Sequence, residues 1–214
     1  LHVEARTQSE LDFFGAAISS MPDNSNSKKI PKGEINNKSV VDEIEKLNAD
    51  LLVCYGSSLI KSKLLKSFEG KFLNVHLGLS PYYRGSGTNV WPLINKELDM
   101  VGATYMYIDE GIDTGKIIHQ IRADIFLGDS PHSIGNRFII KMTDTYCDIV
   151  AAFNSLSEEP QPESEGNLYL QNQFDSKACH KLYKNFSEGL VQNYIETLNK
   201  RSPRYIVKNK GLKH

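Results

Sequence analysis

Apolar residues along the chain recur with helical spacing in some segments and form short unbroken runs in others. Between residues 7 and 21, Leu11, Phe13, Phe14 and Ile18 give a partly amphipathic helix pattern. The turn formers of residues 22–29 read as a loop. Ser39 has the character of an N-cap, with Asp42 three residues on as a near capping box, and Val40, Val41, Ile44 and Leu47 follow at helical spacing. Leu51 to Tyr55 is continuously apolar and ends at Gly56-Ser57-Ser58, the pattern of a strand buried on both faces in a parallel sheet. A short helix at 61–67 and a strand at 72–76 come next. This alternation predicts an α/β fold with a mostly parallel sheet.

Residues 77–90 hold three glycines and a proline and read as a loop entering a helix with Trp91 and Ile94. Residues 101–108 and 117–125 alternate as strands, joined by the tight loop 109–115. Ser130-Pro131 is a helix start with proline at the first helical position, and Ile134, Phe138, Met142, Ile149 and Phe153 carry its apolar stripe. The polar, acidic stretch 157–166 reads as a connector. Beyond it Leu182, Phe186, Leu190, Tyr194 and Leu198 fit one amphipathic helix, and residues 200–213 carry six basic residues and no acid. The expected organisation is one α/β domain over 1–155 and, over 156–214, a linker and helical, basic extension ending in a solvated tail.

At 214 residues the chain is one domain or one domain with an appendage. With 25 Lys+Arg against 26 Asp+Glu, it lacks the basic excess of a dedicated nucleic-acid binder. Its apolar runs fall far short of the roughly 18 residues of a membrane span. Cys54, Cys147 and Cys179 have neither metal-ligand spacing nor the even count of a disulfide framework. Cys54 reads as core packing, and no metal is expected. The opening Leu1-His2-Val3-Glu4 has no signal-peptide character, so a cytoplasmic setting is expected.

Asn74 and His76 share one side of a strand end, where open α/β sheets bind ligands. Taken alone, the pair reads first as buried polar groups that satisfy loop backbone. Asp113, between glycines, is first of all a turn residue. Tyr82-Tyr83-Arg84 could stack on and pair with a nucleotide, or could be loop packing. His119 alternates with apolar residues and reads as structural, and His132 as surface.

Taken together, three motifs are specific. Asn74-Val75-His76, Leu79-Ser80-Pro81-Tyr82-Tyr83-Arg84-Gly85 and Asp109-Glu110-Gly111-Ile112-Asp113-Thr114-Gly115 follow in order, with 39 positions from Asn74 to Asp113. Over about residues 31–155 the chain resembles the folate-dependent formyltransferases that act on glycinamide ribonucleotide, methionyl-tRNA and nucleotide-linked amino sugars. The resemblance implies a Rossmann-like formyltransferase fold and transfer of a formyl group from 10-formyltetrahydrofolate, as co-substrate, to a primary amine without a metal. It implies a catalytic Asn74, His76 and Asp113. Asn74 and a protonated His76 would donate to the oxyanion, and Asp113 would hold His76 charged. It places the pterin against Ser58, Leu59 and Ile60 and against Gly111 and Ile112; Tyr82, Tyr83 and Arg84 stay candidates for the substrate on their side-chain chemistry alone.

Two features depart from the family. Its N-terminal strand and glycine turn are not found before Lys32, so the numbering begins mid-protein or the chain is truncated. Residues 156–214 are also too short for the C-terminal barrel of a methionyl-tRNA enzyme. The preferred acceptor is therefore a small amine-bearing metabolite such as a nucleotide-linked amino sugar. The rivals are tRNA as acceptor, hydrolysis of formyl-folate, and an inactive truncated relative. A homodimer stays open.

Overall fold

The computed structural model describes residues 2–163 and 166–212. Ser164 and Glu165 of the acidic connector and Lys213 of the basic tail lie outside the described residues.

Helix α1 spans His2–Ser20, starting earlier than its apolar pattern, and Asn136 donates to Ser9 O at 3.1 Å to fix it on a later helix. Helix α2 is Lys38–Lys46. Its N-cap is Asn37 rather than Ser39, which sits inside the first turn, and Asp42 instead pairs with Lys38 at 2.5 Å and Lys63 at 2.6 Å. The lysines draw the Asp42 carboxyl down to about 2.

Strands β1 (Leu52–Tyr55) and β2 (Phe72–His76) flank α3 (Ser62–Ser67) and pair in parallel, as a crossover connection requires. Strands β4 (Gly102–Tyr107) and β5 (Ile117–Arg122) complete a four-stranded sheet in the order β1-β2-β4-β5. The β2–β4 and β4–β5 pairs are both antiparallel, so the sheet is mixed rather than mostly parallel. The loop 108–116 is too short for a crossover and forces β5 to run back along β4.

The expectation of a doubly buried first strand also changes. β1 is an edge of this sheet, with Val53 51% and Tyr55 52% exposed. Its other face, through Leu52 and Cys54, packs on Val41, Ile60, Leu64, Phe68 and Phe72.

The long helix α5 (Pro131–Ala152) starts as expected. Ser130 accepts from Ser133 N at 3.0 Å and Pro131 takes the first helical position. Its Phe138, Met142 and Ile149 meet Leu73, Val75, Tyr105 and Ile118 in the main core. His132 bonds Tyr183 at 2.9 Å and is half-buried rather than plain surface.

A short strand, β3 (Tyr83–Gly85), lies inside the segment expected to be a loop. It pairs in parallel with β6 (Asn167–Tyr169) beyond the acidic connector. Between them comes the single-turn helix α4 (Trp91–Ile94).

The C-terminal region holds two helices where one was expected, α6 (Ser176–Ser187) and α7 (Leu190–Glu196). The break is Gly189, at φ 82°, in the left-handed region that favours glycine. Both helices pack through Leu182, Leu190 and Val191 onto Leu93, Leu98, Val101 and Ile134.

The basic tail is not solvated along its length. Val207 is 1% exposed, and Gln120 N donates to Val207 O at 2.8 Å. Asn209 Nδ2 donates to Ile118 O at 3.0 Å and to Ser157 O at 2.8 Å. No helix among the described residues is long and apolar enough to cross a membrane.

Candidate active site

A cleft of about 680 Å³ opens at one end of the sheet. It is lined by the end of β2, the turn after β1, the β4–β5 loop and the segment 168–171. Asn74, His76 and Asp113 all line it, and so do Ser58, Leu59, Ile60, Gly111 and Ile112. Three segments far apart in sequence thus line one cleft.

The loop after β2 is held onto the sheet by side chains rather than by strand pairing. Thr104 donates to Gly78 O at 2.7 Å and accepts from Ser80 N at 2.9 Å. Gln120 Nε2 donates to Ser80 O and to Thr104 Oγ1, both at 2.8 Å. The loop folds back tightly enough that His76 Nε2 lies 2.9 Å from Tyr83 O. At Gly78 a Cβ would stand 2.4 Å from His76 Nε2, so only glycine fits there.

His76 Nδ1 lies 3.3 Å from Asp113 Oδ2. The same oxygen accepts from Gly85 N at 2.9 Å. Asp113 itself has φ 54°, a left-handed conformation that Asp tolerates better than most residues. Its carbonyl accepts from Gln161 Nε2 at 2.7 Å, and Gln161 also reaches Gly115 O at 3.0 Å. The acidic connector is therefore a strap across the Asp113 loop rather than a passive linker. Glu159 adds a bridge to Ile117, with hydrogen bonds of 2.7 and 2.8 Å.

Two effects oppose one another at His76. Burial pushes His76 below its ordinary pKa, and Asp113 and the Tyr83 carbonyl only partly oppose this. Burial therefore works against a standing cation on His76, and Asp113 works for one. Both ring nitrogens nevertheless face acceptors, so a proton arriving during a reaction would be held on both sides.

Tyr82, Tyr83 and Arg84 do not line the cleft. Tyr82 and Tyr83 pack with Leu79, Met100 and Ile206, so of the two readings of this segment loop packing is the one observed. Tyr83 lies stacked on Tyr169 at 5.6 Å, and Tyr82 donates to Tyr205 O at 3.2 Å in the tail. Arg84 is half-buried in β3, and among the described residues its Nε has no hydrogen-bond partner. The wall facing Asp113 comes instead from Leu168, Tyr169, Leu170 and Gln171. Nothing local marks those residues, because only the β3–β6 pairing brings them there. Among the described residues, no group of three or more His, Cys, Asp or Glu could hold a metal ion.

Comparison with known proteins places the chain in a family. The formyl transferase family profile matches residues 17–150, more than half of the chain. The chain belongs to that family. The methionyl-tRNA formyltransferase of Finegoldia magna is 38% identical over 86 residues, 39% of this chain and 27% of that protein. Among the curated relatives it matches, the chain spans between about a quarter and just under half of their length, 27% in that case and 46% for the Geobacter metallireducens protein.

Two solved structures share the fold. One is a formyltransferase from Anoxybacillus kamchatkensis in complex with UDP-4,6-dideoxy-4-formamido-L-AltNAc and tetrahydrofolate. It is 21% identical, with 84% of this chain and 87% of that one covered and a TM-score of 0.55. The other is a 4-N formyltransferase from Francisella tularensis, 23% identical, with 80% and 71% covered and a TM-score of 0.59.

Proposed function

We propose that this chain carries the catalytic centre of an enzyme that moves a formyl group from 10-formyltetrahydrofolate to the primary amine of a small metabolite, such as a nucleotide-linked amino sugar. The observation that carries the reading is the meeting of Asn74, His76 and Asp113 in one cleft that Ser58–Ile60 and Gly111–Ile112 also line.

The folate co-substrate suits that wall. Residues 58–60 run along the cleft outside any strand, leaving backbone groups to meet a polar heterocycle. Asn36 fixes this segment, donating to Leu59 O at 2.8 Å and accepting from Lys61 N at 2.7 Å. Leu59 and Ile112 keep large apolar side chains exposed beside it, suited to a flat ring. When bound, the folate supplies an activated formyl group on nitrogen.

The residues divide the work as follows. The side-chain N–H of Asn74 donates to the oxygen on which charge develops as the amine attacks. The attacking amine gives up a proton as the new C–N bond forms, and the neutral His76 accepts it. Asp113 and the Tyr83 carbonyl hold the imidazolium so formed. The proton then goes to the folate nitrogen as its bond to the formyl carbon breaks, which returns His76 to its neutral state.

A small acceptor is supported by the complex of the Anoxybacillus enzyme with a UDP-linked formamido sugar. A tRNA acceptor is the second reading, favoured by the 38% identity to the Finegoldia enzyme. The test incubates the protein with 10-formyltetrahydrofolate and, separately, a UDP-linked amino sugar or initiator methionyl-tRNA. Formyl transfer to the sugar is expected, and transfer to the tRNA alone overturns the acceptor assignment. A folate analogue at one hundred times its Kd should stabilise the protein by about 2.7 kcal/mol, and no thermal shift at saturation counts against the cofactor site.

A further inference from the structure

Cys54, read from sequence as core packing, has a more specific neighbour. In the parallel β1–β2 register it stands directly opposite Asn74. Its Sγ donates to Asn74 Oδ1 at 3.3 Å, within reach of a weak thiol hydrogen bond. Among the described residues this is the one side-chain hydrogen bond that Asn74 makes. The mechanism does not use Cys54, and the thiol is half-buried beside Asn74 on the neighbouring strand.

The two ends of an amide side chain are nearly the same shape, so its neighbours decide which end points where. A donor beside Asn74 selects the oxygen for that side. The NH₂ group is then turned toward the cleft that Asn74 lines. An acceptor in the same place would reverse the amide and present a carbonyl to the developing negative charge. Burial raises the Cys54 pKa, the Ser57 hydroxyl beside the sulfur partly opposes this and the Asp113 charge adds to it, so the sulfur keeps its proton at neutral pH and remains able to donate.

We propose that Cys54 is a positioning residue that sets the orientation of the Asn74 amide, with its N–H aimed at the reacting carbonyl. The inference rests on the formyl-transfer reading for its kinetic consequence but not for its geometry, and its test separates the two. Cys54→Val removes the donor with a side chain that suits a strand. Cys54→Ser restores a donor. Denaturant melts of both variants show that they fold.

Removing an oxyanion donor outright costs ~10²–10³ in kcat, and losing only its aim should cost about tenfold. Cys54→Val is expected to lose that factor in kcat with KM little changed. Cys54→Ser should stay within about twofold of wild type. Wild-type kcat in the Val variant, or equal loss in both variants, overturns the proposal. The second readout is ¹⁵N relaxation of the Asn74 side-chain amide in the free protein, which needs no turnover. The amide should be ordered in wild type and Cys54→Ser and mobile in Cys54→Val. Unchanged order in the Val variant overturns the proposal even if the wild type transfers no formyl group. An inactive wild type with the expected relaxation pattern overturns only the formyl-transfer reading.

Discussion

Two hollows of nearly equal size, about 680 and 690 Å³, have different linings, and each has a buried histidine in its wall. In the first, His76 is 7% exposed and lies 3.3 Å from a carboxylate oxygen of Asp113, a residue held in left-handed backbone. In the second, between β5, α5 and the tail, His119 is 3% exposed and its Nδ1 accepts from Asn209 N at 2.9 Å. Neither volume nor burial distinguishes them. The difference is in what faces the ring. A backbone N–H fixes one tautomer and pins the C-terminal tail, whereas a carboxylate leaves a place for a proton to come and go. The first arrangement is the one proposed to move a proton, and the second fastens a chain segment.

The strongest way to break this contrast is Asp113→Asn. Asn adopts the same backbone conformation and can still accept from Gly85 N, so folding should be nearly unaffected. Loss of the proton-holding partner should lower the rate of formyl transfer by ~10²–10⁴-fold. If kcat stays above about a tenth of wild type, well outside that range, Asp113 is only a turn residue.

His119→Leu should behave oppositely. It leaves the Asn209 N–H without its acceptor and should cost about 1–3 kcal/mol of stability, read in a urea melt, with kcat unchanged. A rate loss comparable to that of Asp113→Asn would erase the distinction between the two histidines.

Gly189→Ala tests the tail side without touching a histidine. Alanine at φ 82° should cost about 1–2 kcal/mol, again without a change in kcat. No loss of stability would mean that α6 and α7 can join into the single helix that their apolar stripe suggested.

The smallest effect is a pH dependence. Because burial lowers the His76 pKa, the unfolded chain takes up this proton at a higher pH than the folded one. Stability should therefore fall as pH drops below the ordinary histidine value of about 6.5, and His76→Gln should flatten that slope. The acid limb of kcat/KM should have its midpoint below the same value. A midpoint above it would mean that the resting histidine is charged.

Much of the site was legible along the chain. The Asn74-x-His76 pair needed only the two-residue period of a strand, and the Asp113 loop needed only its glycines. Both are local patterns. The strap formed by Gln161 was not legible, because a glutamine among prolines and acids carries no mark of the loop 48 residues earlier that it bonds. Tyr82 and Tyr83 illustrate the same limit. Their side chains suit stacking on a ligand or on a core, and only the packing of Tyr169 and the tail against them selects the core.

The sequence by itself determined the helices and strands whose periodicity was strong, the capped start of α5 at Ser130, and the order of the three motifs. Each of these depends on residues within a few positions of one another. Only the tertiary structure decided that the sheet is mixed and that β1 is its edge. It alone joined β3 to β6 and laid the basic tail along β5. It also set how far His76 is desolvated, which depends on how completely the loop 77–85 shields the ring from water. Sheet order, burial and desolvation are fixed by contacts between segments tens of residues apart, and local propensity does not encode them.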